Sequence, residues 1–170
     1  RGEALPWAQD EIYFNGHAIE ARLYAEDPAN EFLPVTGHVL LWRPAAGEGV
    51  RLDDGIRTGS AIASHYDPLL AKIIARGATR AEALRRLSAA LADTVLLGLT
   101  TNLPYLRSII DHPGFVDPQG LSTRFLEEAL PGWRPSLPQE ERDTALIAAA
   151  LAGWQRGEVA GPGYWRNNPG

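Results

Sequence analysis

The sequence contains no cysteine and no methionine. Without thiols there is no disulfide scaffold, no thiolate zinc site and no cysteine nucleophile. No run of about 18 or more apolar residues occurs, so no membrane span is expected. No signal or transit peptide is visible, and the expected location is the cytoplasm. A chain that opens at Arg1 and lacks any methionine is expected to be a piece of something longer. Lysine is scarce too. Of 16 basic residues only Lys72 is lysine, a bias expected of a GC-rich genome. Against 21 acidic residues the net charge is 16 − 21 = −5, with a pI near 5.4, a poor starting point for binding nucleic acid.

What is present suits a folded domain. With 45% hydrophobic residues in 170, the chain can bury a sizeable core, or one core plus part of another. The texture changes near Pro131–Pro138, which predicts a joint there. Before it, Ala18–Ala25 alternates, with Ile19, Ala21, Leu23 and Ala25 on one face and Glu20, Arg22 and Tyr24 on the other. Val39–Trp42, Val50–Asp53 and Gly59–Ala63 read as short strands. Leu69–Ala75 fits a buried strand or a helical turn equally well. Thr79-Arg80-Ala81-Glu82 has the form of a capping box, followed by Leu84, Leu87 and Leu91 at helical spacing. Further helices are expected from Thr101 or Asn102 to Ile110, over Ser122–Leu130, and over Gln139–Trp154. Glu140 and Glu141 in the first turn of the last favour its dipole. The apolar Leu146, Ile147, Ala150 and Leu151 of that helix need a partner surface.

Chemistry-bearing residues are few. Glu20, Arg22 and Tyr24 project to one side of a strand, roughly 7 Å apart. An arginine fixed there can stabilise an oxyanion or bind a carboxylate bidentately. The same pattern also suits a solvated strand face with a cross-strand Glu–Arg pair. His17, His38, His65 and His112 have no helical spacing and no acidic companions, so no metal site is expected. Ser64-His65 are adjacent and do not face each other as nucleophile and base. Gly47-Glu48-Gly49 lacks the third glycine and helix of a phosphate loop. Tyr66-Asp67-Pro68 is a turn in which Asp67 either caps or orients a neighbour. Residues alone give an α+β domain with one Arg-bearing polar strand face.

The order of short motifs goes further. Gly16-His17-Ala18-Ile19-Glu20-Ala21-Arg22-Leu23-Tyr24-Ala25-Glu26-Asp27-Pro28 resembles the G-H-A-x-E-x-R-x-x-A-E-D-P signature of biotin carboxylases. Phe32-Leu33-Pro34, Tyr66-Asp67-Pro68-Leu69-Leu70-Ala71-Lys72, Gly98-Leu99-Thr100-Thr101-Asn102 and Ser122-Thr123-Arg124-Phe125-Leu126-Glu127 follow in the family's order. The resemblance implies the C-terminal subdomain of an ATP-grasp enzyme, a mainly antiparallel sheet flanked by helices. Such enzymes carboxylate carrier-bound biotin with ATP, Mg2+ and bicarbonate. The lid, phosphate-binding lysines, magnesium ligands and bicarbonate residues of the family have no match here, so this segment alone is not expected to be active.

Carried over by position, Arg22 matches the catalytic arginine that stabilises the ureido oxygen as biotin loses its proton. Glu20, Asp67 and Lys72 take supporting roles, and no residue is a metal ligand. Thr123-Arg124 stands where stand-alone enzymes have an Ile-His pair beside adenine, which leaves Arg124 as the one candidate for nucleotide contact. Arg51 is kept from a dimer contact whose aromatic is replaced by Glu48. Beyond the family's usual end the chain continues to Gly163-Tyr164-Trp165-Arg166-Asn167-Asn168, which resembles the bridging domain of acyl-CoA carboxylase α subunits. The expected organisation is a carboxylase C-terminal domain over 1–131, a linker over 132–138 and the helical start of a bridging domain over 139–170. The implied partners are a biotinyl carrier domain and a carboxyltransferase β subunit, in an oligomeric full-length protein that engages neither nucleic acid nor membrane. A pyruvate or urea carboxylase, or a non-catalytic docking module, shares these features.

Overall fold

A computed structural model of the chain describes residues 2–117, 119 and 121–155. The motif Gly163–Asn168 lies outside them. The alternating segment forms β1 (His17–Tyr24), whose Ala21 and Leu23 are buried while Glu20 and Arg22 face out. Four short strands follow: β2 (Glu26–Asp27), β3 (Leu33–Pro34), β4 (Gly37–His38) and β5 (Leu41–Arg43). Then come β6 (Val50–Asp54), β7 (Ala61–Ile62) and β8 (Leu69–Gly77). The ambiguous segment at 69–75 is a strand because it is the middle member of an antiparallel sheet ordered β1-β8-β6. A central strand buries most of its residues, which removes the alternation that a half-buried strand shows.

The register sets the outer face of this sheet. Arg22 lies opposite Lys72, and Lys72 opposite Asp53, so one row crosses all three strands. Between Leu23 and Tyr24 the register slips by one residue, so that Tyr24 opposes Leu69 and Leu70 is left over.

The inner face is covered by α1 (Arg80–Asp93). Its Ala83, Leu84, Leu87, Ala90 and Leu91 are buried, and Leu84, Leu87 and Leu91 pack on Ala21, Ile73 and Ala75 of the sheet. Alanines on the strands let the helix come close, and the leucines fill the remaining volume. Thr79 caps this helix, its hydroxyl accepting from the Glu82 N–H at 3.2 Å. The Glu82 carboxylate accepts from the Ala78 N–H at 2.7 Å rather than from Thr79, so the box is closed one residue early. After α1 come β9 (Val95–Leu97), paired with β5, then α2 (Leu103–Ile110), the single-turn α3 (Pro113–Val116) and α4 (Phe125–Ala129). A second cluster of Leu23, Ala25, Leu70 and Ala71 is completed by residues that include Trp42, Leu52 and Leu99.

The chain divides between Arg134 and Pro135. Trp133 belongs to the first unit: it donates from Nε1 to the Ser108 hydroxyl at 3.0 Å and meets Tyr105 edge-on. The second unit carries α5 (Gln139–Gln155), on which Leu146, Ile147, Leu151 and Trp154 are exposed. Among the described residues no helix is long and apolar enough to cross a membrane.

Candidate active site

Arg22 stands on the outer face of β1 with its side chain more than half exposed, at 57%. Its Nε donates to Glu20 Oε1 at 2.8 Å, two residues back along the same strand. The pair is therefore formed within one strand, not across two. The Glu20 hydrogen bond, then the nearby Tyr24 hydroxyl, raise the Arg22 pKa further, so the guanidinium is always charged. With one edge taken by Glu20, the terminal nitrogens remain as donors for a planar acceptor.

The row beside Arg22 is also charged. Lys72, its neighbour on β8, has Nζ 3.8 Å from Asp53 Oδ2. Asp53 in turn accepts two hydrogen bonds from Arg51, at 2.8 and 3.0 Å, and these hold its carboxyl below the usual range. Two cations side by side would repel each other, and Asp53 offsets one of them. Asp53 has no motif of its own in the sequence; its signal is a strand-length segment with acid and base two residues apart.

Arg22 opens onto a groove of about 610 Å³. Tyr24, Glu26 and Asn102 line it, together with Phe32, Tyr105, Leu106 and Phe125. Phe32 has φ +57°, a left-handed conformation that a bulky side chain rarely adopts, and its ring meets Tyr105 edge-on at 5.0 Å. Burial, and then the charge of Asp67, push the Glu26 carboxyl up. Asp67 itself builds its turn: its Oδ1 accepts from the Leu69 N–H at 2.7 Å, and the Pro68 carbonyl accepts from Ala25 N–H at 2.9 Å. That arrangement ties the 66–68 turn to the end of β1.

Arg124 is placed differently. Its Nε is 3.4 Å from Glu128 Oε1 within α4, and Thr123, not Arg124, lines the groove. Among the described residues no group of three or more His, Asp or Glu is arranged to hold a metal ion.

The sheet, its covering helix and the ordered motif segments have counterparts in known proteins. The family model for the biotin carboxylase C-terminal domain matches residues 20–128. The chain belongs to this family. Arg22, Asp67, Lys72, Asn102 and Arg124 all fall inside the matched part of the biotin carboxylase domain. The chain is 38% identical over 154 residues to the mitochondrial propionyl-CoA carboxylase alpha chain of Caenorhabditis briggsae, covering 89% of this chain and 21% of the relative. It is 45% identical over 114 residues to the biotin carboxylase of Halalkalibacterium halodurans, covering 67% and 25% respectively. The biotin carboxylase domain of a thermophilic 2-oxoglutarate carboxylase, solved with bicarbonate, superposes with a TM-score of 0.76 at 33% identity, over 79% of this chain and 30% of that one. The complete pyruvate carboxylase of Rhizobium etli gives a TM-score of 0.76 at 35% identity, over 82% and 14%. The chain thus spans about a fifth to a quarter of the curated relatives named here. The α+β fold and the family expected from the motifs are both borne out.

Proposed function

We propose that this chain is the C-terminal part of a biotin carboxylase domain within an acyl-CoA carboxylase α subunit, and that Arg22 is its catalytic residue. The observation that carries the role of Arg22 is its setting: a guanidinium held from one side by Glu20, lining a groove, on a strand fixed into the sheet. The α-subunit assignment is supported by alignment length. Similarity to the propionyl-CoA carboxylase chain runs over 154 residues, against 114 for the Halalkalibacterium halodurans enzyme.

Biotin on its carrier supplies a ureido group whose nitrogen takes up the carboxyl group. Arg22 fits that group chemically, because a planar fork of donors matches a carbonyl-type oxygen that gains charge. Glu20 orients the fork, and Lys72 adds positive potential from the next strand. Asp67 holds the turn that closes the end of β1. No cluster among the described residues fits magnesium, and the sequence has no glycine-rich phosphate loop to hold ATP. The steps through Mg2+ and ATP belong to other parts of a full-length protein, and the segment alone is inactive in this reading.

In the full-length protein, Arg22→Ala is expected to lower kcat for biotin-dependent ATP cleavage by about 10²–10³-fold. Arg22→Lys should not restore it, because a point charge lacks the fork. An unchanged rate in Arg22→Ala would overturn the role of Arg22.

A second reading rests on α5. Leu146, Ile147 and Leu151 are each more than 60% exposed, which suits a helix that docks a carboxyltransferase subunit. Co-elution of the chain with that subunit on size exclusion, lost in Leu146→Asp with Leu151→Asp, would support a docking role. Failure of the unaltered chain to co-elute would count against it.

A further inference from the structure

We propose that Asn102 is a positioning residue that sets the direction of Arg22 by standing in for a missing neighbour strand. The proposal rests on the role of Arg22 given above. Among the described residues β1 is an edge strand, with β8 paired on one side. On its free side Asn102 makes three hydrogen bonds. Its backbone N–H donates to the Tyr24 carbonyl at 3.2 Å, its Oδ1 accepts from the Tyr24 N–H at 2.9 Å, and its Nδ2 donates to the Arg22 carbonyl at 3.1 Å. One buried residue, 6% exposed, thereby reproduces the ladder of a paired strand at Arg22 and Tyr24.

Three observations set this clamp apart from ordinary loop packing. Asn102 is the N-cap residue of α2, yet its side chain makes no cap hydrogen bond. Thr101 takes over, its hydroxyl accepting from the Leu103 N–H at 3.3 Å, and Pro104 removes one further orphan donor. The amide is thus withdrawn from a helix end that would use it and given to a strand about 80 residues away in sequence. The contact also falls where the β1–β8 register slips, between Leu23 and Tyr24, where the sheet alone constrains β1 least. And Asn102 lines the same groove as Arg22.

The consequence is geometric. A guanidinium carbon about 6 Å from its Cα moves about 1 Å for each 10° of strand rotation, and about 1 Å of misplacement can cost about 100-fold in rate. Holding both the carbonyl of Arg22 and the N–H of Tyr24 fixes that rotation.

The test uses the full-length protein and a double-mutant cycle. Arg22→Ala alone reads the role of Arg22, independently of Asn102. Asn102→Ala is expected to lower biotin-dependent kcat by about 10- to 100-fold, leaving the KM for ATP and biotin-independent ATP cleavage unchanged. In the Arg22→Ala background the same change should cost nothing more, because Asn102 acts only through Arg22. Asn102→Asp keeps the size and the acceptor for the Tyr24 N–H but turns a carboxylate oxygen toward the Arg22 carbonyl in place of the donor, so it should lose at least as much as Asn102→Ala, with biotin-independent ATP cleavage reporting that each variant folds. An equal loss in both backgrounds, or an equal loss of biotin-independent ATP cleavage, would mark Asn102 as merely structural and overturn the proposal. Full activity in Asn102→Asp would overturn it as well.

Discussion

Gly98 offers a sharp test of how the Asn102 loop is held. It has φ +112°, and a Cβ built there would overlap the His38 carbonyl oxygen and stand 2.8 Å from Leu40 N and 2.9 Å from Leu40 Cγ. The first two obstacles are backbone atoms, and the Leu40 N–H is already committed to the Leu97 carbonyl at 2.8 Å, so neither can step aside cheaply. Gly59 provides the control, with φ +90° but nothing within 4 Å of the same Cβ. Both substitutions to alanine carry the left-handed backbone cost, about 1–3 kcal/mol. Both also gain the same unfolded-state term, which cancels in the comparison. Gly98→Ala alone carries the overlap, another ~1–3 kcal/mol by analogy with overpacked sites. Urea unfolding of the two variants and the parent, followed by circular dichroism, should place Gly98→Ala below Gly59→Ala by that difference. In melting temperature the gap is about 2–4 °C per kcal/mol for a chain of this size. Equal destabilisation of the two variants would refute the claim that close backbone approach, and not φ alone, demands glycine at 98.

Two further outcomes follow from the same structure. Thr79→Ala should cost about 1 kcal/mol at the start of α1, measured as a lower urea midpoint, whereas Thr79→Ser should retain the cap; equal loss in both would exclude the hydroxyl as its source. Glu26 is raised above its ordinary value of 4.5 by burial and then by Asp67, so its favourable contribution is complete below pH 4.5 and is lost as pH rises through the folded-state value. Glu26→Gln should therefore gain stability relative to the parent between pH 4.5 and 7, and a gap that stays constant across that range would refute the assignment.

The elements legible in the sequence are those whose pattern is local. The alternation of β1 and the leucine spacing of α1 each follow from one buried face, and both stand close to where the pattern puts them. The shortfalls have local causes too. Ser122 spends its hydroxyl on the Arg124 N–H at 3.2 Å, forming a turn, so α4 starts at Phe125 and not at Ser122. The single turn of α3 contains proline and glycine, poor helix formers, and is held because His112 Nδ1 accepts from the Gly114 N–H at 3.1 Å and Pro113 occupies the first helical position. Gly59–Ala63 yields only the two residues of β7, because Ser60 turns back on itself, its N–H donating to Arg57 and its hydroxyl accepting from the Arg57 N–H.

The site divides along the same line. Glu20 and Arg22 are two apart on a strand, so period-2 geometry brings them to one face, and only the choice between same-strand and cross-strand pairing depends on the tertiary structure. Asn102 is different. Locally its best use is as a helix cap, and every nearby signal points that way: a Thr-Asn pair, a proline at the second helical position, an apolar helix behind. What overrides that use is the edge of β1 that no other described strand pairs, which exists only once β8 has taken the other side. A short strand edge has backbone groups that must be satisfied, and a side-chain amide has both a donor and an acceptor at the spacing a neighbouring strand would offer. The Glu-x-Arg segment carries the charge, and the Asn102 amide, about 80 residues further along the chain, holds the β1 backbone from which that charge projects.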